Sequence, residues 1–351
     1  MKIVSIIGAR PQFVKAGPVS TALRQRHAEV LVHTGQHYDD NMSAVFFAEL
    51  GIPAPDHYLG IGGGHHGAMT GKMLGAIEEV LLAETPDRVL VYGDTNSTLA
   101  GALAASKLHI PVAHVEAGLR SFNRAMPEEI NRVVADHLSD LLLVPSETAV
   151  RNLATEGITR GVHVVGDVMS DSLLAADVRA RTLSTVLQRL GLTDKGFLLV
   201  TVHRAENTDD PARLGAILAA LGDAGTTVVF PVHPRTKGVM AKLGLAFASN
   251  VMAIDPVGYL DMVRLEGAAR MILTDSGGVQ KEAYWLGVPC VTMRDETEWV
   301  ETVEAGWNLL VGADRDRIAH AARHFAPPPA RPFLYGDGQV AGRIVTTIEG
   351  M

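Results

Sequence analysis

A short polar turn between an apolar run and a helix-forming run has the composition of a phosphate-binding site. The apolar run ends at Thr274, and Ser276, a favoured N-cap residue, stands where the helix would begin. Gly277 and Gly278 would then lie in the first helical turn, where backbone N–H groups lack helical partners and the helix dipole is positive. The turn predicts a cradle for a phosphate or diphosphate, with Glu282 one turn further on, within reach of a sugar hydroxyl. The alternative is an ordinary strand–turn–helix connection whose glycines only allow close packing.

Two cations follow the first apolar run of the chain. Arg10 comes directly after that run, Pro11 suits the first helical turn, and Lys15 lies one turn further on. The guanidinium offers a planar fork for phosphate, and the ammonium adds a second positive charge. Both could be ordinary surface charges, but their place at a strand end favours contact with a ligand.

Carboxylates follow two further apolar runs and open the next helix. They are Asp94, Glu116, Glu128 and Glu129. An acid in a first helical turn stabilises the helix dipole without any other task, which is the simpler interpretation of Glu129, and Asp94 could be the N-cap of a helix over 97–108. Carboxylates that converge on one cleft repel each other and should have raised pKa values. Because such a group is costly to assemble, it predicts proton transfer.

Two histidines end apolar runs in the second half of the chain. A lone histidine is more often structural than catalytic, but His203 and His233 would lie at the same edge of one sheet, which favours a substrate role. A metal site is not indicated, because there is no His-Glu-x-x-His motif and Cys290 is the only cysteine. We therefore expect no metal and no cofactor. Cys290 itself is expected to be a buried strand thiol.

Short apolar runs alternate with helical patterns through most of the chain, as in parallel sheets covered by helices. The expected strands are 3–8, 29–34, 88–93, 111–115, 141–145, 162–166, 197–202, 227–232, 251–254, 271–274, 288–293 and 309–311. The rhythm breaks over 167–192, where two helical segments follow each other.

This break predicts an α/β protein of two doubly wound domains facing a central cleft. The expected domains are 1–168 and 169–330, and the C-terminal helical segment 331–351 is expected to cross back to the first domain. Ligands of such sheets bind outside the carboxyl ends of the strands. Most of the polar residues above would therefore lie at the cleft.

Composition and charge exclude several classes of function. The 351 residues are 47% hydrophobic and 20% charged, with a formal net charge of -8 and no long basic run, which argues against a nucleic-acid partner. No apolar stretch reaches the roughly 18 residues of a transmembrane helix. The N-terminal apolar run is too short for a signal peptide. We expect a cytoplasmic protein without a membrane partner.

With these residues assembled, the chain resembles the non-hydrolysing UDP-N-acetylglucosamine 2-epimerases from Gly8 to about Gly312. The resemblance rests on 8–15, 34–37, 93–95, 114–120, 127–132, 203–207, 274–282 and 294–304. This set in this order is highly specific. It implies two Rossmann-like domains in a GT-B-like arrangement and a homodimer.

The resemblance also implies a reaction and a role for each matched residue. UDP is eliminated across C1–C2 of UDP-N-acetylglucosamine to give a 2-acetamidoglucal, and is re-added after protonation of the other face to give UDP-N-acetylmannosamine. Asp94, Glu116 and Glu128 are implied as the acid/base carboxylates, and His203 as a diphosphate contact with a catalytic role. The implied UDP-binding residues are Arg10, Lys15, His203, His233, Ser276, Gly277, Gly278 and Glu282.

Two departures from the family pattern bear on regulation and substrate. Family members that their own substrate activates carry a longer polar signature after the pair Gln36–His37, so allosteric activation is in doubt here. The stretches 8–13 and 121–124 also resemble the branch that acts on UDP-2,3-diacetamido-2,3-dideoxyglucuronate. Arg120 or Arg124 would then pair with the substrate carboxylate. The parent sugar is the first expectation and this sugar the second.

Two other classes of function fit the same architecture. A GT-B-type UDP-sugar glycosyltransferase would need an acceptor pocket and would not need three acids around the sugar. A catalytically silent nucleotide-sugar sensor would bind the ligand without turnover. Incubation in deuterated water distinguishes them, because only the epimerase must place deuterium at C2.

Overall fold

The computed structural model describes residues 1–36 and 53–350. The chain divides into two compact units, one formed by Met1–Ser172 with Tyr335–Met351 and the other by Leu173–Leu334. The stretch after Gln36 that bears on allosteric activation, 37–40, lies outside the described residues.

The first unit is a parallel sheet covered by helices. Its strands are β1 (Lys2–Ile7), β2 (Ala28–His33), β3 (His57–Tyr58), β4 (Arg88–Tyr92), β5 (Val112–Val115), β6 (Leu141–Val144) and β7 (Val162–Val164). Its helices are α1 (Arg10–Leu23), α2 (His66–Glu84), α3 (Asn96–Lys107), α4 (Pro127–Leu138), α5 (Glu147–Thr155) and α15 (Val340–Glu349), with α6 (Met169–Leu183) beginning here. All neighbouring strands are parallel, in the order β3-β2-β1-β4-β5-β6-β7.

The central strand of this sheet is apolar on both sides because helices cover both faces. In β1, Ile3 and Ile7 belong to one buried cluster, whereas Val4 and Ile6 belong to another. Helix α15 contributes Ile344 to the first of these clusters. The last helix of the chain is therefore part of the first unit's core.

The second unit repeats the same plan with one strand fewer. Its strands are β8 (Leu198–Thr201), β9 (Val228–Pro231), β10 (Val251–Ile254), β11 (Met271–Thr274), β12 (Cys290–Thr292) and β13 (Asn308–Leu310). Its helices are α7 (Val186–Leu190), α8 (Ala205–Thr208), α9 (Pro211–Gly222), α10 (Pro234–Leu243), α11 (Tyr259–Ala268), α12 (Gly277–Trp285), α13 (Val300–Glu304) and α14 (Arg315–His324). The parallel order is β10-β9-β8-β11-β12-β13.

The expected α/β class, with two Rossmann-like sheets, is confirmed. Each expected strand overlaps an observed one, and the two consecutive helices α6 and α7 lie where the rhythm breaks. Strand β3 was not expected. The possible N-cap role of Asp94 is wrong, because Thr95 caps α3 and its side chain accepts a hydrogen bond from the N–H of Thr98 at 3.3 Å. Cys290 is buried in β12, and burial raises the pKa of its thiol to about 12.

A buried histidine at the end of β2 makes stability depend on pH. His33 packs between Phe13 and Tyr58, with ring centroids 5.0 and 5.1 Å away, and its Nδ1 accepts from the N–H of Gly35 at 2.9 Å. Burial lowers the pKa of His33 from 6.5 to about 4. Between these values the unfolded chain binds a proton that the folded chain does not, so the free energy of unfolding falls as pH falls.

We expect His33 to account for a loss of up to about 3 kcal/mol in unfolding free energy between pH 7 and pH 4. Urea denaturation at both pH values measures this loss. His33→Asn keeps an acceptor at this position but does not titrate, so its stability should depend less on pH than that of the wild type. Parallel pH dependences in the two proteins would contradict the assignment.

Candidate active site

In each sheet the strand order reverses beside its first strand, and the predicted site residues follow strands at or next to that point. In the first unit Arg10 follows β1, Asp94 follows β4 and Glu116 follows β5. In the second unit His203 follows β8 and Ser276 follows β11. Doubly wound sheets bind their ligands at such switch points, outside the carboxyl ends of the strands.

A buried ion pair holds the carboxylate after β5. Lys15 of α1 is 7% exposed and its Nζ pairs with the Glu116 carboxylate. Burial alone would lower the pKa of Lys15, but the carboxylates of Glu116, Asp167 and Asp94 together outweigh this effect and the pKa is raised. The backbone of Glu116 has a φ of 68°, a left-handed conformation that costs about 1–3 kcal/mol and is typical of functional sites.

The turns after β4 and β5 lie against each other. Gly93 has a φ of 60°, and a Cβ atom added there would lie 3.2 Å from Glu116 Oε2 and 3.4 Å from Lys15 Nζ. A side chain at this position would therefore displace the ion pair. Asp94 follows directly, so the structure brings Lys15, Asp94 and Glu116 to one edge of the first sheet.

The carboxylate after β4 is also paired. Arg132 of α4 donates to Asp94 and lies 3.1 Å from the carboxylate of Glu129. Glu129 is buried and accepts hydrogen bonds from the N–H and Oγ of Ser121, both at 2.9 Å. Its neighbour Glu128 is exposed. The two adjacent acids thus differ: Glu129 anchors a loop, whereas Glu128 is open to solvent.

These ion pairs correct the expectation that the carboxylates repel one another. Glu116 is paired with Lys15, and Asp94 with Arg132, so a cation offsets each negative charge. The cations come from α1 and α4. Their positions depend on the packing of those helices and not on the strands that carry the acids.

Arg120 cannot be the partner of a substrate carboxylate, so that expectation is wrong. Its Nε and one terminal nitrogen donate to the two oxygens of Glu156 at 2.7 and 2.8 Å, and the other terminal nitrogen donates to Asp136 at 2.7 Å. Its side chain is 1% exposed. Arg124, the other candidate, is exposed.

In the second unit a buried aspartate organises the turn after β8. Asp275 accepts hydrogen bonds from the backbone N–H groups of His203 at 3.1 Å and Arg204 at 3.0 Å. Burial, with His233 and Arg204 nearby, lowers the pKa of His203 against the opposing effect of Asp275. His203 is therefore neutral near pH 7, and its side chain is 39% exposed. The ring of His233 is 5.8 Å from that of His203.

Helix α12 begins with an open first turn. Ser276 is the N-cap by position, but its side chain makes no capping hydrogen bond. A Cβ atom added to Gly278 would lie 3.9 Å from Ser276 Oγ, whereas one added to Gly277 would lie 3.4 Å from Trp299 Nε1, 3.6 Å from Glu298 Oε2 and 3.8 Å from a terminal nitrogen of Arg204. Two donor groups and one carboxylate from other segments therefore border the first turn of this helix.

Glu282, one turn further into α12, has a second carboxyl beside it. Glu266 of α11 is 1% exposed and hydrogen-bonds to Glu282. Burial, together with Glu282, raises the pKa of Glu266 well above its usual range, so Glu266 is the protonated donor of the pair. Glu282 is half-buried.

Several charged residues of these arrangements were not singled out from the sequence, among them Arg132, Asp136, Glu156, Glu266 and Asp275. Asp275 stands between Thr274 and Ser276, where a polar residue at a strand end was a usable signal. Arg132 and Asp136 lie within α4 and carry no such signal. Their roles follow only from the packing of that helix on the sheet.

No metal site or membrane span is found within residues 1–36 and 53–350. No group of three or more His, Cys, Asp or Glu residues there could hold a metal ion. His320 and His324, one turn apart on α14, form a pair only, with ring centroids 4.8 Å apart. In the same ranges no helix is long and apolar enough to cross a membrane.

The fold and these residues define a class: an α/β protein of two Rossmann-like units, with ion-paired carboxylates on one and an open helix N-terminus on the other. The family described as UDP-N-acetylglucosamine 2-epimerase matches residues 21–349. The chain is 56% identical to the UDP-2,3-diacetamido-2,3-dideoxy-D-glucuronate 2-epimerase of Pseudomonas aeruginosa, with 98% of each chain covered. It is 45% identical to the UDP-N-acetylglucosamine 2-epimerase of Methanocaldococcus jannaschii, again over 98% of each.

A solved structure agrees with these sequence matches. The crystal structure of the M. jannaschii UDP-GlcNAc 2-epimerase in complex with UDP-GlcNAc and UDP is 44% identical, with a TM-score of 0.82 and 100% of both chains covered. The chain belongs to the UDP-N-acetylglucosamine 2-epimerase family, and it is an isomerase. The expected family and class of enzyme are confirmed.

Proposed function

We propose that this epimerase inverts C2 of a UDP-linked 2-acetamido sugar by elimination and re-addition of UDP. The observation that carries the proposal is the pair of carboxylates, Asp94 and Glu116, each held by a cation at the ends of adjacent strands. The bound UDP-GlcNAc and UDP of the M. jannaschii relative support the choice of nucleotide sugar.

The carboxylates of the first unit are proposed to carry out the proton transfers at C2. A carboxylate of the first unit removes the C2 proton while the C1–O bond breaks and UDP leaves with the electron pair, giving a 2-acetamidoglucal. A carboxyl group then returns a proton to the opposite face of C2, and a UDP oxygen re-forms the bond to C1. Asp94, Glu116 and Glu128 supply these proton transfers.

The diphosphate carries the charge that develops on the leaving group. We assign its binding to Ser276 and the N–H groups of Gly277 and Gly278, with His203 as a further donor. We assign Glu282 to the ribose. The other proposed UDP contacts are Arg10, Lys15 and His233.

Two sugars are candidates for the physiological substrate. UDP-N-acetylglucosamine is the first, and the M. jannaschii relative supports it. UDP-2,3-diacetamido-2,3-dideoxyglucuronate is favoured by a specific observation, namely the 56% identity to the P. aeruginosa enzyme of that name. Since Arg120 is buried and fully engaged, Arg124 is the arginine we propose for the carboxylate of this second sugar.

Proton NMR in deuterated water tests the reaction and selects the sugar. Purified enzyme is incubated with each UDP-sugar in turn. Turnover should replace the C2 proton with deuterium and produce the C2 epimer. A chain that leaves C2 unlabelled in both sugars does not perform the proposed reaction on either.

Gly278→Val should weaken UDP binding without weakening the fold. Apart from the neighbouring residues and the helix's own backbone, the described residues place only Ser276 Oγ within 4 Å of the added Cβ, so the fold has room for a side chain beside the proposed diphosphate site. We expect the Kd for UDP to rise at least about tenfold, equivalent to about 1.4 kcal/mol. Calorimetric titration with UDP measures this change, and thermal unfolding serves as the control. Unchanged affinity would place the diphosphate elsewhere.

We also propose that the enzyme is a homodimer that acts in the cytoplasm without nucleic-acid or membrane partners. The family resemblance supports the homodimer, and the net charge of -8 supports the absence of a nucleic-acid partner. Analytical ultracentrifugation tests the oligomeric state.

A further inference from the structure

A largely buried chain of hydrogen-bonded polar side chains links the two carboxylate turns of the first unit. It runs from His114 of β5 to Asp136 of α4, then to Arg120 and Glu156. The side chains of His114 and Asp136 are 0% exposed. Neither residue is among the groups to which the proposed reaction assigns a role.

His114 is hydrogen-bonded through both of its ring nitrogens. Its Nε2 lies 2.6 Å from the carbonyl oxygen of Gly93, which can only accept, so Nε2 carries a hydrogen. Its Nδ1 lies 2.7 Å from Asp136 Oδ1. Burial would raise the pKa of Asp136, but His114 and Arg120 outweigh it and the pKa is lowered, so the carboxylate is ionised. His114 therefore bridges the carbonyl of Gly93 and the carboxylate of Asp136 through its two ring nitrogens.

In the pair formed by His114 and Asp136, each residue is hydrogen-bonded to one of the carboxylate turns. Through His114, the pair fixes the carbonyl of Gly93, the residue before Asp94. Through its other oxygen, Asp136 accepts from the N–H of Gly118 at 3.1 Å, two residues after Glu116. The left-handed backbone of Glu116 lies between these two points of attachment.

Stability alone does not account for these charges. Well-packed apolar side chains often replace a buried ion network at no cost in stability, because burying charges carries a large desolvation penalty. Apolar side chains could not bond to a carbonyl in one turn and an N–H in the other. The network connects the turn of Asp94 to the turn of Glu116 by hydrogen bonds, one to the Gly93 carbonyl and one to the Gly118 N–H.

We propose that His114 and Asp136 are positioning residues that set the placement of Asp94 relative to Glu116 for proton transfer. The inference rests on the proposed function. Small displacements of acid/base groups are costly in rate, since an error of about 1 Å can lower it about 100-fold. Binding of UDP should be largely retained when this network is changed, because most of the proposed UDP contacts, among them Ser276, Gly278 and Glu282, belong to the second unit.

Asp136→Asn tests the proposal, with Asp171→Asn as the matched control. Asp171 is a buried carboxylate of the same unit that accepts from the N–H groups of Val340 and Ala341 at 3.1 and 2.8 Å, at the start of α15. Each variant is measured for kcat by deuterium incorporation at C2, for UDP affinity by calorimetry and for Tm. We expect Asp136→Asn to lose about 10- to 100-fold in kcat with its UDP Kd within twofold of wild type.

The control separates positioning from general destabilisation. Asp171→Asn should keep kcat within threefold of wild type even where its Tm falls as far as that of Asp136→Asn. Equal kcat values in the two variants would overturn the proposal. Should Asp136→Asn fail to fold, His114→Gln is measured in the same way against the same control. Wild-type protein that incorporates no deuterium would instead refute the proposed function, so the two failures are distinct.

Discussion

Asp94→Asn is expected to lower kcat for C2 epimerisation by about 10²- to 10⁴-fold, the usual contribution of a general acid or base. The amide has nearly the shape of the carboxylate but can neither take nor return a proton. Arg132, which pairs with Asp94, retains its second partner Glu129 at 3.1 Å, so the local structure should survive the change. The rate of deuterium incorporation at C2, measured with the purified variant, gives kcat.

Two further measurements make this result specific. The Kd for UDP should stay within threefold of wild type, since Asp94 is not a proposed UDP contact and most of those contacts belong to the second unit. Asp56→Asn is the matched control, because Asp56 lies in the same unit and also pairs with an arginine, Arg24, at 3.3 Å. It should leave kcat unchanged. Wild-type turnover in Asp94→Asn would remove this carboxylate from the mechanism.

The strands could be predicted because their signal is local. A strand such as β1, buried on both faces, is apolar at most of its positions, with Ser5 as an exception, and that run is visible without any tertiary information. Strand β3 was not predicted because it is two residues long, His57–Tyr58, and neither residue is an aliphatic core residue. Its place beside β2 depends on pairing, which the local sequence does not encode.

The positions of the site residues could be predicted for the same reason, but their partners could not. Strand ends and helix starts are local features, and they indicated Asp94, Glu116 and the turn at Ser276. The cation of each acid is remote in sequence: Lys15 is 101 residues from Glu116, and Arg132 is 38 residues from Asp94. Treating the acids without these cations led to the expectation of mutual repulsion.

The partners of Arg120 could not be predicted from the sequence either. Its position in a loop beside the acids suggested a free guanidinium for a substrate carboxylate. In the structure Arg120 is instead buried against Asp136 and Glu156. Asp136 lies in α4, and Glu156 directly follows α5. Whether an arginine is free for a ligand depends on which acids the fold places around it.

Lys15→Met should lower both stability and turnover, because it leaves the Glu116 carboxylate without its cation. The side chains are 8% and 13% exposed, and removing one partner of a buried pair costs about 3–5 kcal/mol. Without Lys15, the Glu116 carboxylate also loses the cation that holds it in place. We expect kcat to fall at least about 100-fold. Urea denaturation and deuterium incorporation at C2 measure the two effects.

The double variant Lys15→Met/Glu116→Gln separates the two losses. Replacing the carboxylate by an amide removes the unpaired charge, so much of the lost unfolding free energy should return and the two substitutions should be strongly non-additive. Turnover should not return, because the amide at position 116 cannot transfer a proton. Recovery of kcat together with stability would show that Glu116 only neutralises Lys15. Simple additivity of the two stability losses would show that the pair is not energetically coupled.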